Sequence, residues 1–130
     1  TRYSCLVNSV TTLVITKLDV LDDQDRIEIC TGYRYGDQVF SNVPMHCEVL
    51  DQVEPVIETW KGWKCKTTGI RDYEDLPREA RDYLMRLKEL LGTDISFVSV
   101  GPDRDETLVV EDSPYAAELM IQSSRLQSCE

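Results

Sequence analysis

The chain has 130 residues, of which 42% are hydrophobic and 29% charged, and this length and composition suit one compact globular unit. The formal net charge is −10, and the basic residues are scattered without a stripe that could neutralise a row of phosphates, which argues against nucleic acid as a partner. The sequence also lacks the long apolar run of a membrane span and the basic-then-apolar start of a signal peptide. We therefore expect a soluble cytoplasmic protein.

The opening of the chain predicts that it is a fragment. The first residue is Thr1, and the segment TRYSCLVNSVTT reads as an amphipathic stretch already under way. The sequence alone therefore favours a piece of a longer polypeptide.

The cysteines support neither a disulfide framework nor a metal site. Their number is odd, they are widely spaced, and they form no CxxC pair: Cys5, Cys30, Cys47, Cys65 and Cys129. His46 is the single histidine, and on an extended chain it points away from its neighbour Cys47, which argues against a catalytic pair. Reduced thiols in the cytosol are the expected state.

The first half of the chain predicts strands. Leu13 to Ile15 is a continuous β-branched-rich run, typical of a central, parallel strand covered on both faces, and a polar turn at residues 22–23 ends it. Residues 26–34 alternate, which predicts a half-buried strand with one face formed by Ile27, Ile29, Thr31 and Tyr33. A glycine-containing loop at residues 35–38 then predicts a hairpin to Val39 and Phe40.

The middle of the chain predicts a connection, an edge strand and a loop. Residues 44–53 suggest a short, weakly helical connection. Residues 55–60 read as a strand entered through Pro55, which suits a strand's first residue or an edge. Residues 63–73, rich in Lys, Thr and Gly, are expected to form a long loop.

The clearest helix is predicted from Pro77 to about Leu91. Pro77 suits the first turn and Gly92 follows as a C-terminal stop. Apolar residues recur at helical spacing and predict one buried stripe, made of Ala80, Tyr83, Leu84, Leu87, Leu90 and Leu91.

The last elements predict a hairpin. Residues 95–100 form an apolar strand, residues 101–106 a charged turn, and residues 107–110 a returning strand. Residues 114–130 are expected to be a loosely attached helix or a disordered tail. The fold class is therefore α/β, with a mixed, partly parallel sheet and flanking helices.

Two apolar strands end in residues that could recognise a purine. The first runs into Lys17-Leu18-Asp19 and the later one into Gly101, and ligands of α/β sheets gather beyond the carboxyl ends of strands. An ionised Asp19 is an acceptor-only fork that matches the adjacent N–H and amino donors of guanine. The stem of Lys17 could cover the face of the base, while backbone amides after the second strand donate to the remaining carbonyl. The alternative is a surface ion pair or a turn cap.

The glycines do not form the phosphate-binding loop that phosphoryl transfer needs. A phosphate-binding loop needs clustered glycines, whereas these are dispersed: Gly32, Gly36, Gly62, Gly69, Gly92 and Gly101. Residues 66–69 (KTTG) could form an anion-binding turn, but a solvated loop is favoured.

Several blocks in order resemble the adenylosuccinate synthetase family. They are VNSVTTLVITKLDVLD, IEICTGYRY, VEPVIETWKGWKCKTTGIRDYEDLP, ARDYLMRLKELLG and ISFVSVGPDRDET. The resemblance runs from about Leu6 to Leu108. It implies that residues 1–110 are the C-terminal portion of a synthetase with a P-loop-NTPase-like fold, with a tail of unknown role at 111–130.

The resemblance also implies a function. The family is a GTP-dependent carbon-nitrogen ligase of AMP synthesis, which forms adenylosuccinate from IMP and L-aspartate with Mg²⁺ assisting. The guanine of GTP would be held by the matching residues Lys17, Leu18, Asp19, Ser99, Val100 and Gly101.

The resemblance places the catalytic residues and Mg²⁺ ligands outside this chain, so the isolated chain is expected to be inactive. Its implied partners are the N-terminal remainder of the synthetase and a second copy in a homodimer. The alternative, favoured only by the unfamiliar tail, is a stand-alone, non-catalytic module that binds guanine nucleotides or a protein partner.

Overall fold

A computed structural model describes residues 1–42, 50–110, 113 and 115. Its helices are α1 (Arg2–Val7) and α2 (Arg78–Leu91), with 3₁₀ turns at Leu18–Leu21, Tyr73–Asp75 and Arg104–Glu106. Its strands are β1 (Thr12–Ile15), β2 (Arg26–Tyr35), β3 (Gln38–Phe40), β4 (Glu54–Lys61), β5 (Asp94–Ser99) and β6 (Thr107–Val109). None of the helices within these ranges has the length and hydropathy of a membrane span.

Some expectations lie outside the described residues. They are the His46–Cys47 pair, Cys129, residues 44–49 of the connection at 44–53, and the tail at 111–130 apart from residues 113 and 115.

The first sheet has the order β1-β5-β6 and is partly parallel, as predicted. β5 pairs with β1 in parallel and with β6 in an antiparallel hairpin. The expectation that β1 is central and covered on both faces is wrong for the described part of the chain. There β1 has β5 as its one neighbour, and Val14 is 55% exposed. A β-branched run specifies a strand, but the number of its neighbours depends on residues far away in sequence.

The second sheet has the order β3-β2-β4 and is antiparallel. β2 and β3 form the predicted hairpin, with Gly36 at φ 57° in the turn, and β4 lies at the edge that its proline suggested. The predicted alternation of β2 holds for Ile27 and Ile29 but is wrong beyond them. A bulge between Cys30 and Gly32 shifts the pattern by one residue, so Gly32 is buried in place of Thr31.

The predicted helix is confirmed as α2, with Pro77 before its first residue and Gly92 closing it at φ 63°. Of the predicted stripe, Ala80 and Leu84 are fully buried, while the other four residues are partly buried. Both buried residues join one hydrophobic core with Leu18, Ile27, Trp63, Leu76, Ile95, Val98, Val100 and Leu108. This core reaches the ends of β1 and β5, so packing fixes the position of the predicted purine site.

Candidate functional site

The two predicted strand ends lie side by side. β1 and β5 are parallel, and Ile15 is paired with Val98, so the chain leaves both strands at the same edge of the sheet. The 3₁₀ turn that follows β1 contacts β5. The candidate site is therefore formed by residues 17–19 on one side and residues 99–101 on the other.

Lys17 opens the turn in a left-handed backbone conformation. Its φ and ψ are 59° and 47°, which costs a non-glycine residue about 1 kcal/mol or more. The side chain is exposed and makes no ion pair within the described part of the chain. Leu18, by contrast, is only 1% exposed and packs in the core, so its side chain cannot line a base. Leu18 anchors the turn, and its neighbour Lys17 is exposed.

Asp19 has a carboxylate oxygen with no partner. Its Oδ1 atom is buried and accepts no hydrogen bond from any described residue. Leaving a buried acceptor unpaired costs about 1–3 kcal/mol, so such an atom calls for a donor from outside the chain. The residue as a whole is partly exposed. The alternative of a Lys17–Asp19 surface pair is not what the structure shows.

The second side of the site offers one backbone donor. The Val100 N–H donates to the carbonyl of Glu106 at 2.9 Å, so this amide is not available to a base. Ser99 Oγ donates to the Gly101 carbonyl at 2.8 Å, which closes the turn. The Gly101 N–H has no acceptor among the described residues. Val100 itself is fully buried and serves as an anchor.

The role of Asp22, which is 7% exposed, was not predicted from the sequence. Its Oδ1 accepts hydrogen bonds from the Trp63 indole N–H at 2.8 Å and from Thr67 Oγ1 at 2.9 Å, and its Oδ2 accepts one from the Thr67 N–H at 2.7 Å. Nothing in the local pattern distinguishes Asp22 from its exposed neighbour Asp23.

The expectation of a solvated loop at residues 66–69 is therefore wrong at Thr67, which is fully buried, and correct for its exposed neighbours Lys66, Thr68 and Gly69. An anion could not use Thr67 either. Both of its donors are already bound to a carboxylate of the protein.

The role of Glu106 was not predicted either, because this residue stood in what was expected only to be a charged turn. It is 5% exposed. Its Oε1 accepts a hydrogen bond from the Gly69 N–H at 3.1 Å, and its Oε2 accepts one from the Asp103 N–H at 3.2 Å. A signal for this was present, since an Asp followed three residues later by Glu is a capping pattern.

Neither a metal site nor a second ligand site is indicated elsewhere in the described chain. No three His, Cys, Asp or Glu side chains gather there in a way that could hold a metal ion. A cleft of about 870 Å³ lies between α2 and the starts of β1 and β5, at the opposite edge of the sheet from Asp19. Its charged lining carries both signs and includes the ion pairs Arg81–Glu74 and Lys88–Asp94, so it selects no particular ligand charge.

The comparisons with known proteins agree with one another. The family model described as adenylosuccinate synthetase matches residues 1–108. The chain is 44% identical over 110 residues to the adenylosuccinate synthetase of Brachyspira hyodysenteriae, covering 85% of this chain and 26% of that protein. It is 45% identical over 115 residues to that of Halorhodospira halophila, covering 88% and 26%.

Among solved structures, the chain is similar to a fully ligated adenylosuccinate synthetase from Plasmodium falciparum. The TM-score is 0.77 at 28% identity, covering 84% of this chain and 27% of that one. The chain thus spans about a quarter of the length of the relatives it matches.

Proposed function

Because the chain belongs to the adenylosuccinate synthetase family, we propose that it is part of an enzyme that forms adenylosuccinate from IMP and L-aspartate with GTP hydrolysis. Within that enzyme, this part binds the guanine of GTP. The reaction is a GTP-dependent carbon-nitrogen ligation in AMP synthesis. The whole enzyme is proposed to be a homodimer in the cytoplasm.

The observation that carries the proposal is the unpartnered, buried Oδ1 of Asp19. Guanine presents its ring N–H and its 2-amino group side by side, and a carboxylate can accept hydrogen bonds from both. Such charge-assisted bonds would satisfy the atom that the chain itself leaves without a donor.

The neighbouring groups complement the rest of the base. The Gly101 N–H is a donor without an acceptor in the described chain, which suits the 6-oxo group of guanine. The exposed Lys17 can lay its alkyl stem along the ring face. Leu18 and Val100 act from behind, as buried anchors that hold the two sides of the site in place.

The same arrangement discriminates against adenine. Adenine has an acceptor where guanine has its ring N–H, so it would leave a carboxylate lone pair of Asp19 unsatisfied and bring two acceptors together. The difference is about 1–3 kcal/mol or more in favour of guanine.

The chemistry of phosphoryl transfer is proposed to lie elsewhere in the whole polypeptide. The dispersed glycines offer no phosphate loop, and the described residues offer no three-carboxylate cluster for Mg²⁺. We expect no synthetase activity from the isolated chain. Its placement as the C-terminal portion of the whole enzyme stays a prediction, which the complete coding sequence would test.

The test of guanine binding is Asp19→Asn in the whole enzyme. The amide replaces one acceptor by a donor that faces the donors of guanine, so the KM for GTP should rise roughly tenfold or more, while the KM for IMP changes little. Asp23→Asn is the matched control, because Asp23 is exposed and makes no hydrogen bond or ion pair within the described chain. Equal changes in both KM values would refute the assignment.

A further inference from the structure

We infer that Asp22 and Glu106 are positioning residues that set the width of the guanine pocket, by holding a shared turn at residues 67–70 between its two sides. The inference rests on the proposed function, because it concerns the same pocket. It assigns these two buried carboxylates to the geometry of the base site, although neither side chain needs to touch the base.

Asp22 connects the turn to the Asp19 side of the pocket. The Asp22 N–H donates to the Asp19 carbonyl at 3.1 Å, so the two residues belong to one rigid 3₁₀ turn. The Asp22 carboxylate in turn holds Thr67 by its backbone N–H and its hydroxyl. Any movement of Thr67 would therefore be transmitted to the backbone of Asp19.

Glu106 connects the turn to the Gly101 side. Its carboxylate accepts from the Gly69 N–H, and its backbone carbonyl accepts from the Val100 N–H at 2.9 Å. It also lies directly against Gly101: a Cβ built on Gly101 would stand 2.1 Å from Oε2. Only glycine leaves room for the carboxylate at this position.

The segment that joins Asp22 to Glu106 is a short turn closed by a hydrogen bond. The Ile70 N–H donates to the Thr67 carbonyl at 3.1 Å, which makes residues 67–70 a hydrogen-bonded turn, and Gly69 adopts φ 88° within it. Thr67 is bound to one side of the pocket and Gly69 to the other, only two residues further on. A turn of this kind acts as a strut of fixed length.

Carboxylates suit this role better than neutral groups. Asp22 accepts three hydrogen bonds and Glu106 two, and neither has an ion-pair partner among the described residues. Hydrogen bonds to an ionised acceptor are short and strong, which limits the freedom of the groups that they join. An amide side chain at either position would present a donor to at least one protein N–H or O–H and would lose that hydrogen bond.

The test uses Asp22→Asn and Glu106→Gln in the whole enzyme. Each should raise the KM for GTP roughly tenfold, the effect of one lost charge-assisted hydrogen bond, with the kcat and the KM for IMP within about twofold of the wild type. The double variant should raise the KM for GTP by less than the product of the two single effects, because either change already releases the same turn.

The exposed neighbours Asp23→Asn and Asp105→Asn are the matched controls and should leave all three constants unchanged. Thr67→Val is the milder variant if a carboxylate variant does not fold. It removes one hydrogen bond to Asp22 Oδ1 and keeps the shape and the backbone N–H, and the KM for GTP should still rise about threefold or more.

Three results would overturn the inference. Folded variants that lose melting temperature but keep the KM for GTP would show a merely structural role, and effects that multiply in the double variant would show that no turn is shared. If Asp19→Asn raises the KM for GTP while the Asp22, Glu106 and Thr67 variants do not, the inference fails and the guanine pocket stands. If Asp19→Asn also has no effect, the proposed function itself fails.

Discussion

Arg86 on α2 binds the carboxylate of Glu58 on β4 through two nitrogens. Its Nε lies 3.2 Å from Oε1 and its Nη2 lies 2.9 Å from Oε2. The indole N–H of Trp60 donates to the same Oε1 at 2.8 Å. These hydrogen bonds, that of Arg86 first, lower the pKa of Glu58 below its ordinary value of 4.5. Since β4 belongs to the second sheet and α2 packs on the first, the pair joins the two halves of the fold.

This pair predicts a loss of stability in acid. A carboxylate whose pKa is lower in the folded state stabilises the fold above its unfolded pKa, and this contribution disappears as the pH falls through the folded pKa. Glu58→Gln should therefore destabilise the chain at about pH 7, and most of that effect should be gone at a pH well below 4.5, under the lowered pKa of the folded state. Denaturant unfolding at both pH values measures the difference. Glu28→Gln, at an exposed site on β2, is the control, and a Glu58 effect that does not depend on pH would contradict the prediction.

Leu84 on α2 should carry much of the stability of the core. It is 2% exposed, and truncation to alanine leaves a cavity, which costs about 2–5 kcal/mol. Met85, the next residue, is 60% exposed, so Met85→Ala should change the free energy of unfolding by less than about 0.5 kcal/mol. Thermal melting of both variants measures the contrast. Similar melting temperatures would mean that α2 is not packed as the structure shows.

Gly101 should not tolerate a methyl group. The new Cβ would meet Oε2, Cδ and Oε1 of Glu106 at 2.1, 2.4 and 2.8 Å, and the carboxylate can move only by releasing Gly69 and Asp103. Gly101→Ala is therefore expected to lower stability by about 1–3 kcal/mol and to raise the KM for GTP.

Gly92→Ala separates these two effects. Gly92 has a positive φ of 63° and open space around it, so alanine costs about 1 kcal/mol of backbone strain far from the pocket. It should lower the melting temperature without changing the KM for GTP. If both glycine variants changed that KM alike, the close contact of Gly101 with Glu106 would not matter for binding.

The predictable part of this fold is the part that local chemistry determines. Pro77, the apolar stripe and Gly92 define α2 within one residue, because each end has its own stop signal. The β2–β3 hairpin follows in the same way from the glycine in its turn. The shared edge of residues 17–19 and 99–101 was predictable because parallel strands end together.

The remainder depends on contacts between residues far apart in sequence. Asp22 and Asp23 cannot be distinguished from the local sequence. Asp22 is buried because Trp63 and Thr67 pack against it and donate hydrogen bonds to its carboxylate. The bulge that moves Gly32 inward arises from pairing with β4, about 25 residues later. Similarly, the hydrogen bond from the Val100 N–H to Glu106 could not be predicted, because it requires the returning turn to be placed first.

The acceptor pattern of Asp19 predicts that base specificity can be moved from guanine to xanthine. Xanthine keeps the ring N–H of guanine but carries a carbonyl in place of the 2-amino group. The asparagine side chain in Asp19→Asn can accept a hydrogen bond from the ring N–H and donate one to the carbonyl. The native carboxylate, by contrast, is repelled by the oxygen of that carbonyl. In the whole enzyme, Asp19→Asn should raise kcat/KM for xanthosine triphosphate relative to GTP at least roughly tenfold, by exchanging one mismatched pair for one matched pair.

Steady-state rates with each nucleotide, at saturating IMP and L-aspartate, give the ratio, and Asp23→Asn should leave it at the wild-type value. An Asp19→Asn enzyme that loses GTP activity without gaining preference for the xanthine nucleotide would show that Asp19 supports the turn and does not read the base.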